Sequence, residues 1–112
     1  MLEKDIERKL IAGVKRAGGK AYKFVSPGNV GVPDRIVIWP NGVIHFVELK
    51  TSKGVLSRLQ AVQARELQKL NQKVFVLKGA DAVAGYLDQF IEEFGGRKRN
   101  AVYSACVSAI LY

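Results

Sequence analysis

The chain has one cysteine and one histidine in 112 residues, so it can form no intramolecular disulfide and holds no Cys/His set with zinc-ligand spacing. A lone Cys106 points to a reducing compartment. Long hydrophobic runs are missing too. The longest, Ala101 to Tyr112, is too short to span a bilayer, and the first residues form an amphipathic charged segment where a signal peptide would have an apolar core. A soluble, cytoplasmic protein with no membrane partner is the expectation. Acidic residues are scarce, 10 against 18 basic, for a formal net charge of +8; residues 1–94 alone carry 15 basic and 10 acidic side chains, net +5. Such a basic domain favours a polyanionic partner, most simply nucleic acid. No zinc finger, RNP motif or basic zipper is present, so recognition of backbone or shape is expected in place of direct base readout.

The length and the 48% apolar content fit one compact domain. Leu2, Ile6, Leu10, Val14 and Ala17 share one helical face, and Gly18-Gly19 stops the pattern. Lys20 to Val25 reads as a short strand, followed by a Pro/Gly/Asn-rich loop over residues 26–31. Arg35 to Trp39 and Val43 to Lys50 read as two β-branched strands of an antiparallel hairpin. Ser57-x-x-Gln60 is a capping-box pattern opening a second helix, in which Leu59, Val62, Gln63, Glu66, Leu67 and Leu70 share a broad face. Lys73 to Leu77 is a further strand, and Val83, Tyr86, Leu87, Phe90, Ile91 and Phe94 recur at helical spacing before Gly95-Gly96. The order is αβββαβα, and the right-handed crossover rule makes the last strand parallel to its neighbour in a mixed sheet. Residues 1–94 are expected to form the domain and residues 95–112 a tail.

The stretch Val32-Pro33-Asp34-Arg35, followed one strand later by Val47-Glu48-Leu49-Lys50, carries the chemistry. Residues two apart in a strand share a face, so Glu48 and Lys50 emerge side by side while Leu49 turns the other way. His45 falls on the face opposite Glu48 and reads as a packing or surface residue. Placing a charged pair beside so apolar a run costs stability unless the charges satisfy each other or bind something. The turn decides whether Asp34 joins them. A two-residue Asn41-Gly42 loop would set Arg35 opposite Glu48, whereas a three-residue Pro40-Asn41-Gly42 loop sets Trp39 opposite Val43 and Asp34 opposite Glu48. Proline suits the second position of a type I turn and glycine the left-handed residue after it, so the three-residue loop is expected.

Two carboxylates with room for water suit Mg2+ or Mn2+, with the Leu49 carbonyl able to complete the set. Lys50 beside them could orient a nucleophile and offset negative charge at a phosphate. Glu3 is either a third acidic member of the site or a favourable charge at a helix N-terminus, and it is better placed than Glu7, which lies farther toward solvent. Gln60 is either a structural cap or a residue that reaches the site as well. Lys23, Arg35, Lys53 and Arg58 are candidate phosphate contacts on DNA.

These residues together resemble the VRR-NUC family of the PD-(D/E)XK nuclease superfamily, in its short stand-alone phage or bacterial type. The likeness rests on Glu3-x-x-x-Glu7, Lys23-Phe24-Val25-Ser26-Pro27-Gly28, Gly31-Val32-Pro33-Asp34-Arg35, Phe46-Val47-Glu48-Leu49-Lys50 and Leu56-Ser57-x-x-Gln60, in that order, and runs to about Ile91. Thr51-Ser52-Lys53 departs from the more usual proline-containing stretch after the lysine. The resemblance implies a restriction-endonuclease-like αβββαβ core and a divalent-metal-dependent endodeoxyribonuclease selective for DNA structure, with four-way (Holliday) junctions among its candidate substrates. It implies Asp34 and Glu48 as metal ligands, Lys50 as the catalytic lysine, Gln60 as a supporting glutamine and Glu3 as the acid of the first helix. The location implied is the cytoplasm of a bacterial or phage-infected host cell. One site nicks one strand, so resolving a symmetric junction calls for a homodimer. The competing expectations are a less selective flap or single-strand nuclease and a non-catalytic DNA-binding module; the two carboxylates argue against the latter, since each would repel phosphate without a metal.

Overall fold

In the computed structural model, residues 2–94 are described, and the expected tail of residues 95–112 lies outside them. The first helix, α1 (Glu3–Arg16), buries Ile6, Leu10, Gly13 and Val14 on one stripe, and its charged residues lie elsewhere on the helix. Three strands follow: β1 (Lys20–Lys23), β2 (Arg35–Ile38) and β3 (Ile44–Lys50). Next come α2 (Arg58–Lys69), β4 (Lys73–Lys78) and α3 (Gly79–Phe94), which gives the expected αβββαβα order.

The four strands form one sheet in the order β1-β2-β3-β4, with β1, β2 and β3 antiparallel and β4 parallel to β3. Alternation along the strands divides the sheet into two unlike faces. On one face Val37, Val47, Leu49 and Leu77 pack with Ile6, Leu10 and Val14 of α1 and Val83, Leu87 and Phe90 of α3. Gly13 leaves room for Leu87 of α3 against α1, since a Cβ there would stand 2.4 Å from a Leu87 methyl carbon. The other face is covered less completely. Helix α2 packs mainly along β4 and buries none of its residues fully, with Leu59 50% and Leu70 69% exposed, so its expected apolar face is only partly used.

His45 lies on the packed face, as its parity requires, and is 2% exposed. Its Nδ1 accepts from Trp39 Nε1 at 3.1 Å and lies 2.7 Å from the Tyr86 hydroxyl, among Phe75, Phe90 and Phe94. Tryptophan only donates, so Nδ1 carries no hydrogen and the ring is the Nε2–H tautomer. Burial, with Lys73 nearby, lowers its pKa from 6.5 to about 4. No helix among the described residues is long and apolar enough to cross a membrane.

Candidate active site

The β2–β3 turn sets the site. Gly42 N–H donates to the Trp39 carbonyl at 2.8 Å and Trp39 N–H to the Val43 carbonyl at 2.9 Å, with Gly42 at φ +86°. This is the three-residue loop with a left-handed glycine, and the pairs Arg35 with Val47 and Val37 with His45 follow from it. Continued one step, that register puts Asp34 opposite Glu48.

Trp39 and Val43 are a hydrogen-bonded pair, and hydrogen-bonded and non-hydrogen-bonded pairs alternate along an antiparallel ladder. Val37–His45 and Arg35–Val47 are therefore hydrogen-bonded, and Asp34–Glu48 takes the other type, in which side chains stand closest. The next hydrogen-bonded position would pair residue 33 with Leu49, but Pro33 has no N–H to offer. The Asp34 side chain takes over half of that exchange: its Oδ2 accepts from Leu49 N–H at 2.9 Å. No N–H from position 33 meets the Leu49 carbonyl, which points to the same side as its N–H and so toward Asp34. Proline followed by aspartate thus ends the ladder, anchors one carboxylate and frees one main-chain oxygen beside it.

Glu48 is 3% exposed. Its pKa is raised from 4.5 to about 8 by burial first, then by a hydrogen bond and charge repulsion from Asp34; Lys50 opposes the shift and Glu3 adds slightly to it. In the metal-free protein Glu48 therefore keeps its proton at neutral pH and shares it with the Asp34 carboxylate. Lys50 forms no ion pair among the described residues, so it is not the strand-end Glu/Lys bridge of an ordinary surface.

Gln60 holds both of the roles that its sequence position left open. Its main-chain N–H donates to Ser57 Oγ at 3.1 Å, and its Oε1 accepts from Ser57 N–H at 2.9 Å, closing the capping box. The other end of the same amide donates from Nε2 to Glu48 Oε2 at 3.3 Å. Gly31, at φ +96°, lets the loop before β2 lie against this helix start, since a Cβ there would stand 2.6 Å from the Leu59 main chain.

Glu3 is exposed and acts on Glu48 only through its charge. Among the described residues no three His, Cys, Asp or Glu side chains come together as a metal cluster, so the donors at hand are two carboxylates and the main chain. Arg35, expected as a DNA contact, lies on the opposite sheet face from Asp34. Its Nη2 pairs with Glu7 Oε1 at 2.9 Å, its Nη1 donates to the Ala21 carbonyl at 3.3 Å, and its side chain is 13% exposed. Odd parity on β2 makes this unavoidable. Glu7 is its partner, one helical turn after Glu3, so the pair fixes the end of α1 that carries Glu3. Reading Glu7 as solvent-facing missed this; the signal available was Arg35's own parity. Lys23 is exposed at the end of β1, Lys53 in the loop after Lys50, and Arg58 at the start of α2.

No family model matches the chain. Over 79 residues it is 46% identical to "Putative nuclease p44" of Acyrthosiphon pisum secondary endosymbiont phage 1, covering 70% of this chain and 85% of that protein. A solved VRR_NUC domain superposes with a TM-score of 0.70 at 28% identity, covering 82% of this chain and 96% of its own. A VRR_NUC domain protein superposes with a TM-score of 0.61 at 20% identity, covering 82% and 89%, a likeness of fold alone. The fold is restriction-endonuclease-like, and with this relative and this shared architecture the chain belongs to the VRR-NUC family of nucleases.

Proposed function

We propose that the protein is a divalent-metal-dependent endodeoxyribonuclease that hydrolyses phosphodiester bonds in branched DNA, four-way junctions included. The observation that carries this reading is the placement of Asp34 opposite Glu48, with Lys50 two residues on along the same face. The donor chemistry fits Mg2+ or Mn2+: two hard carboxylates, one of them holding a proton in the metal-free protein chiefly because it is buried and then because Asp34 is beside it, and a main-chain carbonyl that no proline N–H can meet. Asp34, Glu48 and the Leu49 carbonyl would hold the ion, which supplies Lewis-acid stabilisation of phosphoryl charge when bound.

The chain's own groups do the rest. Lys50 presents an ammonium, uncommitted among the described residues, to a phosphate oxygen and to the attacking water, offsetting charge as it develops. Gln60 fixes the Glu48 carboxyl through Nε2, and the Leu49 N–H fixes that of Asp34. Net charge of +8 draws a polyanion to the surface, with Lys23, Lys53 and Arg58 as exposed phosphate contacts. Two copies related by a two-fold axis would cut both strands of a symmetric junction.

The test is cleavage of labelled four-way junction, flap, duplex and single-stranded DNA in Mg2+ or Mn2+, by wild type, Asp34→Ala and Lys50→Ala. Cleavage of branched DNA by wild type, lost in both variants, is the expected result. Binding without cleavage in any metal, equal in all three proteins, would leave only a DNA-binding module.

A further inference from the structure

We propose that Tyr22, with Phe24 and Phe46 beside it, forms a stacking platform for an unpaired DNA base next to the scissile phosphate, so that among branched substrates those presenting single-stranded nucleotides at the branch are favoured over fully paired ones. This inference rests on the metal-dependent DNA hydrolysis proposed above and narrows its substrate.

The cross-strand rows of the less-covered sheet face carry the argument. Tyr22 pairs with Ile36, and Ile36 with Phe46. One row on, Phe24 N–H donates to the Asp34 carbonyl at 2.9 Å, so Phe24, Asp34 and Glu48 stand abreast. Two strand residues span about 7 Å, which puts the aromatic row a single step from the two acids. The Phe24 and Phe46 rings are 5.7 Å apart and tilted, bridging the two rows. Tyr22 is 46% exposed, on the face that α2 leaves open beside β1 and β2.

Charge selects the occupant of that face. The two helices packed on the opposite face, α1 and α3, together carry five basic and seven acidic side chains, while residues 17–78 hold 10 basic and 3 acidic. The excess positive charge thus lies mostly outside the α1/α3 layer, and a polyanion is drawn to the side of Tyr22. Lys20 Nζ sits over the Tyr22 ring, 4.6 Å from its centre; a base that stacks on that face displaces the ammonium toward the ring's rim, where it can neutralise the same nucleotide's phosphate. A fully paired duplex keeps its bases stacked on one another and has no use for an exposed ring so near the acids. A base free of its partner does, and stacking on exposed sheet aromatics is how such bases are held.

The test measures binding in EDTA, so no cleavage intervenes, to a 5′-flap carrying 2-aminopurine as its first unpaired nucleotide and to a matched duplex. Wild type is expected to favour the flap and to quench the probe. Tyr22→Ala is expected to lower the flap-to-duplex affinity ratio about tenfold and lose the quenching, and Tyr22→Trp to keep both. Ile91→Ser, on α3, controls for exposed apolar residues and should match wild type. Equal loss on flap and duplex, or unchanged quenching, would overturn the platform. So would conversion of a dimer to monomer by Tyr22→Ala with flap preference intact, which would make the face a subunit contact. Wild type that cleaves duplex and flap equally in Mg2+ would overturn this inference alone; wild type that cleaves no DNA in Mg2+ or Mn2+ would overturn the hydrolysis reading.

Discussion

Glu48→Gln should make the metal-free protein more stable at neutral pH while abolishing its response to metal. In the native state Glu48 ionises near pH 8, and in the unfolded chain near 4.5. Below pH 4.5 the group is protonated in both states and contributes no difference. Between 4.5 and 8 the unfolded chain ionises and the native state does not, so stability falls as pH rises, by about 1.4 kcal/mol per unit. By pH 7.5 the deficit is about 4 kcal/mol. Glutamine retains the shape and an oxygen able to accept from Gln60 Nε2, but has no proton to lose. The assay is thermal unfolding of both proteins in EDTA at pH 4 and pH 7.5. The two should melt together at pH 4, and the variant should melt roughly 15 °C or more above wild type at pH 7.5. Added Mn2+ should then raise wild type and leave the variant unmoved. Taking the difference between the proteins cancels the titration of His45, which both share. Equal melting at both pH values would refute the claim that Glu48 is held protonated against Asp34.

Glu7→Gln, which takes the carboxylate from a guanidinium whose side chain is only 13% exposed, should cost about 1–2 kcal/mol in urea denaturation; no measurable loss would mean that the Arg35 pair is screened by water. Gln60→Glu preserves the capping box but replaces the Nε2 donor with a third carboxylate beside Glu48. It should therefore keep helix content and stability at pH 5, yet lose at least about tenfold in single-turnover cleavage, and full activity would deny Gln60 its contact role. His45, neutral in the native state down to about pH 4 and down to 6.5 when unfolded, should make stability fall as pH drops through that window, by up to about 3 kcal/mol. His45→Phe should flatten that part of the urea-stability profile, and an unchanged slope would assign it elsewhere.

Periodicity and parity made most of this architecture legible. Strand alternation placed His45 on the face opposite Glu48 and Lys50, which the structure shows to be the packed one, and the chemistry of Pro40 and Gly42 was enough to choose the register that sets Asp34 opposite Glu48. The same parity, applied to Arg35, would have removed it from the candidate DNA contacts and paired it with α1, but its charge drew it toward phosphate. Residue type misleads where a cation is committed to a half-buried ion pair. Pro33's part could not be read without the register, because only the ladder's alternation shows which N–H the proline removes. Gln60 resisted assignment for a different reason: one amide serves two partners, and sequence offers each reading separately. The extent of α2's coverage was also hidden, since an apolar stripe predicts a buried face but not how much sheet lies beneath it.

Calorimetric titration of Mn2+ into wild type, Asp34→Asn and Lys50→Ala at pH 7.5 tests most directly whether the Asp34–Glu48 pair is a metal site served by a separate lysine. Wild type and Lys50→Ala should bind, with proton release as Glu48 ionises, and Asp34→Asn should bind at least about tenfold more weakly. Mn2+ affinity in Asp34→Asn equal to that of wild type would contradict it.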